Sequence, residues 1–535
     1  MKTMINSIIL ASCLALPLAS CSDSDAAPEQ KDWSTTTYFN SSDAAAQDTY
    51  YKPAVGYVGD PMPFFDPVAG DFKVLYLQDF RPNPEGTYHP IWGVSTKDAA
   101  HYTALGELVS CGTLKSQDAA IGTGSTIYDE ASKLYYTFYT GNKYKPTGDE
   151  SAQAVMVATS ADFKTWTKDR TFLLKGQDFG YDKNDFRDPF VFKGDDGKFH
   201  MLISTKKGGK GSLAEFVSDD LKNWTDNGVF MTMMWDRFYE CPDLFKMGDY
   251  WYLVYSEIHH AVRRVQYFKG RTLDELKACT ANDVARWPDA HEGFLDSRGL
   301  YAGKTASDGT NRYLWGWCPT RSGKDNTAVG ASPAEPEWAG NLVCYKLIQH
   351  EDGTLTLGQI DAVSEKYNQD VAVEVKESQN MTEADGTYTL AGSVEQPDAY
   401  MLMGRLGSHN KISFTVTTSN EWDKFGISMV RGSDSKKYYT MVVNPENENN
   451  RKVNFEEQGV EGKGFIAGID GYVFARPADN VYNITIYTDN SICVMYINDV
   501  CSYTNRIYGI QKNCWSINSY NGANVKISNL KISQY

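Results

Sequence analysis

Three acidic residues stand at the openings of apolar strands in this chain. Asp188 follows Arg187 in Asn184-Asp185-Phe186-Arg187-Asp188-Pro189-Phe190-Val191-Phe192, where a permanently charged guanidinium would hold the neighbouring carboxylate ionised. Pro189 has no N–H to give a ladder, which suits the start of a strand and not its middle. Asp60 opens Asp60-Pro61-Met62-Pro63-Phe64-Phe65, and Glu240 immediately precedes Cys241-Pro242-Asp243-Leu244-Phe245. Two carboxylates that flank one bond can cleave a glycoside: one attacks the anomeric carbon or positions water, and the other protonates the leaving oxygen. A third acid held by an arginine suits the binding of a sugar hydroxyl. The three lie far apart in sequence, so this chemistry requires elements that bring their strand openings together.

A recurring unit supplies such elements. Between Gly56 and Cys344 an apolar strand that opens on a small or acidic residue runs into a Gly/Asp turn and then an aromatic strand, five times over. Asp60, Gly124, Asp188, Pro242 and Leu300 mark the copies, at spacings of 64, 64, 54 and 58 residues. A second motif runs in phase: Ser160-Ala161-Asp162-Phe163-Lys164-Thr165-Trp166 and Ser218-Asp219-Asp220-Leu221-Lys222-Asn223-Trp224 are 58 residues apart, with a weaker copy at Ser95-Thr96-Lys97-Asp98. Four-stranded units that cannot bury both faces alone stack radially. The expectation is an all-β chain with a five-bladed β-propeller over 47–348, its innermost strands opening on one funnel. A polar linker over 349–370 then leads to a β-sandwich over 371–535, read from alternation in Lys411 to Val416, Tyr438 to Val443, Asn483 to Tyr487 and Cys493 to Ile497. No acid constellation stands out there, which points to a structural buttress.

Composition narrows the partners. The chain carries 34 Tyr, 24 Phe and 12 Trp in 535 residues, a bias toward strands and toward side chains that suit sugar faces. Its formal charge of -16 argues against nucleic acid, because the phosphate backbone rewards Lys and Arg clusters. Of ten cysteines none stands in a C-x-x-C spacing, so no metal site is expected; most read as buried thiols. Lys2, an apolar run from Ile5 to Leu18 and small residues ending at Cys21 read as an export signal, too short to span a membrane. Leu18-Ala19-Ser20-Cys21 resembles the lipobox of bacterial lipoproteins. Residues 1–21 are then a lipoprotein signal and 22–46 a tether, with the protein lipid-anchored to a bacterial cell envelope at the outer membrane or cell surface.

Phe186-Arg187-Asp188-Pro189 and Tyr239-Glu240-Cys241-Pro242 resemble the Arg-Asp-Pro and Glu-Cys blocks of glycoside hydrolase family 32, the invertases, levanases and inulinases. Gly122-Thr123-Gly124-Ser125, Asp296 to Ala302 and Trp338-Ala339-Gly340 resemble further blocks in the same order, so the resemblance covers Gly56 to Ile348 and extends to the propeller-plus-sandwich layout. It implies hydrolysis of β-fructosides such as levan, inulin or sucrose with retention of configuration. Asp60 would be the nucleophile, Asp188 the transition-state stabiliser and Glu240 the acid/base, with Arg187 at the substrate and no cofactor. The first block departs from the pattern Trp-Met-Asn-Asp-Pro-Asn-Gly: Tyr57-Val58-Gly59-Asp60-Pro61-Met62-Pro63 keeps the acid and lacks both Asn. Gln78, His89 and Trp92 are candidate replacements as sugar contacts, and His259 and His260 read as structural. Two other readings stay open: an inverting hydrolase of arabinans or other furanosides on a related five-bladed propeller, and a non-catalytic surface glycan-binding protein. The partner in each is an oligo- or polysaccharide. If the lipobox is used, Cys21→Ala moves the mature protein from the membrane fraction to the soluble one, because the acyl chains supply the membrane binding; continued sedimentation with membranes would refute it.

Overall fold

The computed structural model describes residues 49–232, 238–257, 264–279, 293–321, 336–431, 438–445, 452–458, 472–474, 476–511 and 513–535. The signal-like segment with Cys21, the tether over 22–46, and His259 and His260 lie outside them.

Most of the described residues lie in strands. Antiparallel meanders follow one another: β1 (Tyr57–Asp66), β2 (Asp71–Asp79), β3 (Ile91–Thr96) and β4 (Thr103–Val109); β5 (Ala120–Asp129), β6 (Leu134–Asn142), β7 (Gln153–Ser160) and β8 (Thr167–Lys168); β9 (Phe186–Lys193), β10 (Phe199–Lys207), β11 (Lys210–Ser218) and β12 (Thr225–Thr232); β13 (Glu240–Met247), β14 (Tyr250–Glu257) and β15 (Arg264–Gly270); and β16 (Tyr301–Ser307), β17 (Arg312–Arg321) and β18 (Pro336–Gln349). We call these sheets one to five. Sheet five joins sheet one through a single strand pairing, Val58 opposite Gly340. Each first strand packs on the next: β1 on β5, β5 on β9, β9 on β13, β13 on β16, and β16 on β1.

Alternation along the strands explains this stacking, since successive side chains point to opposite faces. On β10, Met201 and Ile203 share a core with Phe138 and Val155 of sheet two, while Leu202 between them packs with Leu244 and Leu253 of sheet four. On β2, Leu75 and Leu77 meet Ile121 and Tyr139 of sheet two, whereas Phe72, Val74 and Tyr76 meet Leu314 and Trp315 of sheet five. The inner strands of such a sheet are thus buried on both faces. The in-phase motif forms the outer turns. Asp162 Oδ1 accepts the N–H groups of Lys164 and Thr165, each at 2.8 Å, and Asp220 Oδ1 those of Lys222 and Asn223 at 2.9 and 2.8 Å. Asp98 does the same for Ala100 and His101. Trp224 from the turn of sheet three packs edge-on against Phe138 of sheet two, centroids 5.6 Å apart.

Within 349–370 the chain is not a bare connection: Leu355–Gly358 (β19) adds to β18, and a short helix, Asp361–Lys366, buries Val363. Beyond it two antiparallel sheets of eight and seven strands share one core. His409–Thr418 alternates strictly, with Ile412, Phe414 and Val416 inward, facing Met401, Ile427, Trp515 and Ile517 of the other sheet.

The sheet pair is docked on the N-terminal sheets through apolar and polar contacts together. Tyr487, Ile492, Val494 and Tyr496 share a core with Tyr345, Leu347, Leu355 and Leu357. The fully buried Asp296 accepts from Thr504 N (2.8 Å), Thr504 Oγ1 (2.7 Å) and Ser502 Oγ (2.9 Å). Gly299 lies so close that a Cβ would stand 1.9 Å from the Thr504 carbonyl oxygen. Arg506, also buried, donates to the carbonyls of Cys318 and Pro319 (2.9 and 3.0 Å), to Asn341 Oδ1 (2.6 Å) and to Ser491 Oγ (2.9 Å). Removing a charged donor from this many buried acceptors leaves each without its partner. Arg506→Met should therefore lower unfolding free energy by about 3 kcal/mol, seen as an earlier thermal transition by calorimetry; an unchanged transition would refute the docking role.

Candidate active site

The first strands of the five sheets share one irregularity. The pairing register slips in each: after Gly59, Gly122, Arg187, Glu240 and Tyr301. The cause is written in the sequence. The slip falls on Asp60-Pro61, Thr123-Gly124, Asp188-Pro189, Cys241-Pro242 and Ala302-Gly303, where proline cannot donate to a ladder and glycine favours a bulge. Asp60, Asp188, Cys241 and Ala302 adopt positive φ of 31°, 58°, 52° and 51°, a conformation that costs about 1–3 kcal/mol per non-glycine residue and clusters at functional sites. The bulge turns these side chains toward the neighbouring first strands.

Two layers result. Asp60, Thr123, Asp188, Cys241 and Ala302 occupy equivalent places, and Gly59, Gly122, Arg187, Glu240 and Tyr301 lie one residue earlier. Asp60 and Asp188 therefore match by repeat, whereas Glu240 matches Arg187. Contacts run between sheets in both layers. Thr123 Oγ1 donates to Asp60 Oδ2 (2.8 Å) and Trp317 Nε1 to Asp60 Oδ1 (3.0 Å). The Cys241 N–H donates to Asp188 Oδ2 (2.9 Å), and the Asp188 N–H donates to Thr140 Oγ1 (2.9 Å), whose own proton goes to the Thr123 carbonyl (3.0 Å). Glu240 is held from both sides, by Arg187 Nη2 on Oε1 (3.1 Å) and by the Tyr301 hydroxyl on Oε2. The other arm of Arg187 meets Asp185 at 2.8 Å, and its guanidinium stacks on Phe238 at 4.0 Å.

Burial dominates the electrostatics. Asp60 is pushed up to about 6, first by burial and then by the charge of Asp188, against the donors Thr123 and Trp317. Asp188 is also raised, by burial first; Arg187 and the Cys241 N–H oppose this, and Glu240 adds to it. The sequence placed Arg187 as the group keeping Asp188 ionised. Its charge does act that way, but its hydrogen bonds go to Asp185 and Glu240, and burial outweighs it. Beneath the acids lies Lys304, 2% exposed, whose Nζ donates to the Gly124 carbonyl (2.7 Å). Burial lowers its pKa, opposed by the charges of Cys241, Asp243, Asp188 and Asp60.

A pocket of about 290 Å³ opens over the acids, lined by Asp60, Asp188, Glu240, Arg187 and His89 among others. Gln78 and Trp92 are not brought there. Gln78 lies on β2, fully buried, with its amide nitrogen donating to the Val55 carbonyl, and Trp92 on β3 packs edge-on against Phe80 at 5.9 Å. His89 stacks on Trp338 (4.1 Å, 21°), and burial lowers its pKa to about 3, so the ring is neutral. The ring of Trp338 lies over Gly59, where a Cβ would stand 2.2 Å from Trp338 Cη2, so a side chain at position 59 has no room while the indole stays there. Tyr301, Trp317, Trp338 and Asn142 are contributors that residue types alone did not single out, although Tyr301 is the fifth-copy equivalent of Arg187 and Glu240. A larger cavity, about 780 Å³, opens between sheets two and three, but its one acid, Asp169, is engaged with the N–H groups of Thr171 and Phe172.

The raised Asp60 has a thermodynamic sign. The folded state holds its proton to about pH 6, against 3.8 for the unperturbed group, so its ionisation opposes folding as pH rises between those values. Asp60→Asn should stabilise the protein by about 3 kcal/mol at pH 7.5, and the gain should vanish near pH 4; melting curves at both values test it, and equal gains would refute it.

The model described as Glycosyl hydrolases family 32 N-terminal domain matches residues 50–360, and that described as GH32, BT1760-like, C-terminal domain matches residues 353–532. A β-fructofuranosidase, insoluble isoenzyme, from Arabidopsis thaliana is 25% identical over 320 residues, covering 54% of this chain and 51% of that protein. Sucrose-6-phosphate hydrolase from Vibrio alginolyticus is 25% identical over 217 residues, 39% of this chain and 41% of the other. The chain thus spans about half the length of the curated relatives it matches, or less. Fructan 1-exohydrolase IIa from Cichorium intybus has the same fold, with a TM-score of 0.67 at 15% identity over 92% of this chain and 97% of that one. With a family model matching more than half its length, the chain belongs to glycoside hydrolase family 32.

Proposed function

We propose that this protein is a retaining β-fructosidase that hydrolyses fructose-containing glycans of the levan, inulin or sucrose type. The observation that carries this is the convergence of Asp60, Asp188 and Glu240, from three different sheets, on one pocket, with Arg187 paired to Glu240. In this reading sheets one to five are the blades of a five-bladed propeller over 47–348, supported by their sequential packing, and 371–535 is a β-sandwich that braces it. The protein is exported and lipid-anchored at Cys21, as its first residues suggest.

Asp60 attacks the anomeric carbon of the fructosyl unit, and Glu240 gives a proton to the departing oxygen and then takes one from water. Asp188, its backbone fixed by Thr140 and its carboxylate by Cys241 N–H, accepts a sugar hydroxyl and binds it more tightly as positive charge develops on the ring. Tyr301 and Arg187 hold the Glu240 carboxyl in line. Ionised Asp60 is the working form, so kcat/KM falls as pH drops through about 6, and loss of the Thr123 donor moves that limb upward. The names of the relatives, β-fructofuranosidase and sucrose-6-phosphate hydrolase, support a fructosyl bond as the target.

Three variants separate the roles. Asp60→Asn abolishes turnover on every substrate. Glu240→Gln spares an activated aryl fructoside, whose leaving group needs no proton. Asp188→Asn binds substrate but loses kcat by about 10³ or more. Thr123→Val raises the acidic limb by about one pH unit. Proton NMR of the first-released sugar gives the anomer; inversion, or a near wild-type kcat in Asp60→Asn, would overturn the assignment.

A further inference from the structure

Lys304 is a buried cation that neither lines the pocket nor bonds to Asp60, Asp188 or Glu240. It lies on β16, three residues past Tyr301 and just beyond the bulge at Ala302-Gly303. β16 packs on β1 and β13, and β5 stands one strand further round, behind β1. The Lys304 ammonium nevertheless donates to the Gly124 carbonyl of β5 at 2.7 Å, and its Nζ lies 5.5 Å from the ring centroid of Phe190 on β9. One side chain of sheet five thus meets sheets two and three across the middle of the first strands. Gly124 directly follows Thr123, the donor to Asp60.

Keeping a lysine charged at 2% exposure costs free energy, and one neutral carbonyl does not offset that cost. Among the described residues no carboxylate pairs with it directly. The groups that face it are acidic all the same: Asp60 of β1, Asp188 of β9, and Cys241 and Asp243 of β13 act on it through space. Asp243 accepts the Thr305 N–H at 2.6 Å and has Arg312 of β17 as its stronger counter-charge. Asp60 and Asp188 face each other and Glu240, and the hydrogen bonds of Arg187 to acids go to Asp185 and Glu240. In a poorly screened interior a charge is felt over several ångströms. An ammonium set beneath Asp60 and Asp188 therefore offsets the repulsion between them, where a single hydrogen-bond donor would serve only one. We propose that Lys304 is a positioning residue for the reaction: from below the pocket its charge keeps Asp60 and Asp188 ionised together, so that it acts through these acids without touching the sugar. This rests on the β-fructosidase reading above, in which Asp60 attacks as the carboxylate.

Lys304→Met removes the charge and keeps the length of the side chain, an exchange that buried ionic groups often tolerate. In the full-length protein the acidic limb of kcat/KM for sucrose should move up by about one pH unit, so that the loss is about tenfold at pH 5 and shrinks as pH rises. Lys304→Gln, neutral but still a donor, should behave alike and stands in where the methionine variant folds poorly; a merely structural tie to Gly124 would leave its limb in place. Melting curves read the same shift without substrate. The gain in melting temperature that Asp60→Asn gives at pH 7.5 should be larger in either Lys304 variant than in the wild type. A limb unmoved in the folded variants, or equal gains from Asp60→Asn with and without the lysine, overturns the role of Lys304 and leaves fructoside hydrolysis intact. Absence of turnover on any fructoside by the wild type overturns the β-fructosidase reading, and the melting curves then decide by themselves whether Lys304 holds the charge of Asp60.

Discussion

Asp60, Asp188 and Glu240 repel one another in a buried pocket where charges are poorly screened, and the fold meets that repulsion with donors aimed from neighbouring sheets. Asp60 is held by Thr123 of sheet two and Trp317 of sheet five. Asp188 is held by the Cys241 N–H of sheet four, and Glu240 by Arg187 of sheet three and Tyr301 of sheet five. No acid is satisfied within its own sheet by these contacts. The five register slips make the arrangement possible, because a regular strand start would leave the carboxylates along the ladder direction instead of across the gap to the next sheet. Strain at the positive-φ positions is thus tied to the placement of charge.

Much of this was legible in the chain, for reasons that also mark where legibility ended. The acids and Arg187 lie at copies of a repeat, and the repeat carries both their place and their convergence. Glu240 stands one place before the residue equivalent to Asp60 and Asp188, an offset that spacing alone does not show because it does not reveal a bulge; the Pro or Gly after each bulge residue is the available sign. Gln78 and Trp92 are residue types that suit sugar contacts, yet they lie on second and third strands and face the interior between sheets. His89, of the same kind, does reach the pocket, through a loop whose path no periodicity describes. The exchange at Gly59 was visible only as a loss of asparagine. Its counterpart, Trp338, is 279 residues further on, and only the pairing of β18 with β1 brings them together.

The C-terminal sheet pair meets the N-terminal sheets with three buried charged residues in place of a wholly apolar seam. Asp296 and Arg506 bind backbone groups across the joint, and Asp489 accepts the N–H groups of Thr49 and Tyr50 at 3.0 and 2.9 Å. Such groups must be matched one to one, so they fix the angle of docking more sharply than the surrounding apolar side chains do. The residues they bind include the carbonyls of Cys318 and Pro319, next in sequence to Trp317, which holds Asp60. A distant sheet pair thereby steadies a group in the pocket.

The single pairing of Val58 with Gly340 also dictates an order of assembly. Asp60 emerges early in synthesis, but its second donor follows 257 residues later, and the indole that covers Gly59 later still. Until the last strand returns to the first, the opening strand of sheet one keeps one edge bare and its carboxylate half-satisfied. The acid cluster is consequently the last part of the N-terminal sheets to be completed, and any nascent fragment that stops short of residue 340 carries an unpaired edge of the kind that invites association with other chains.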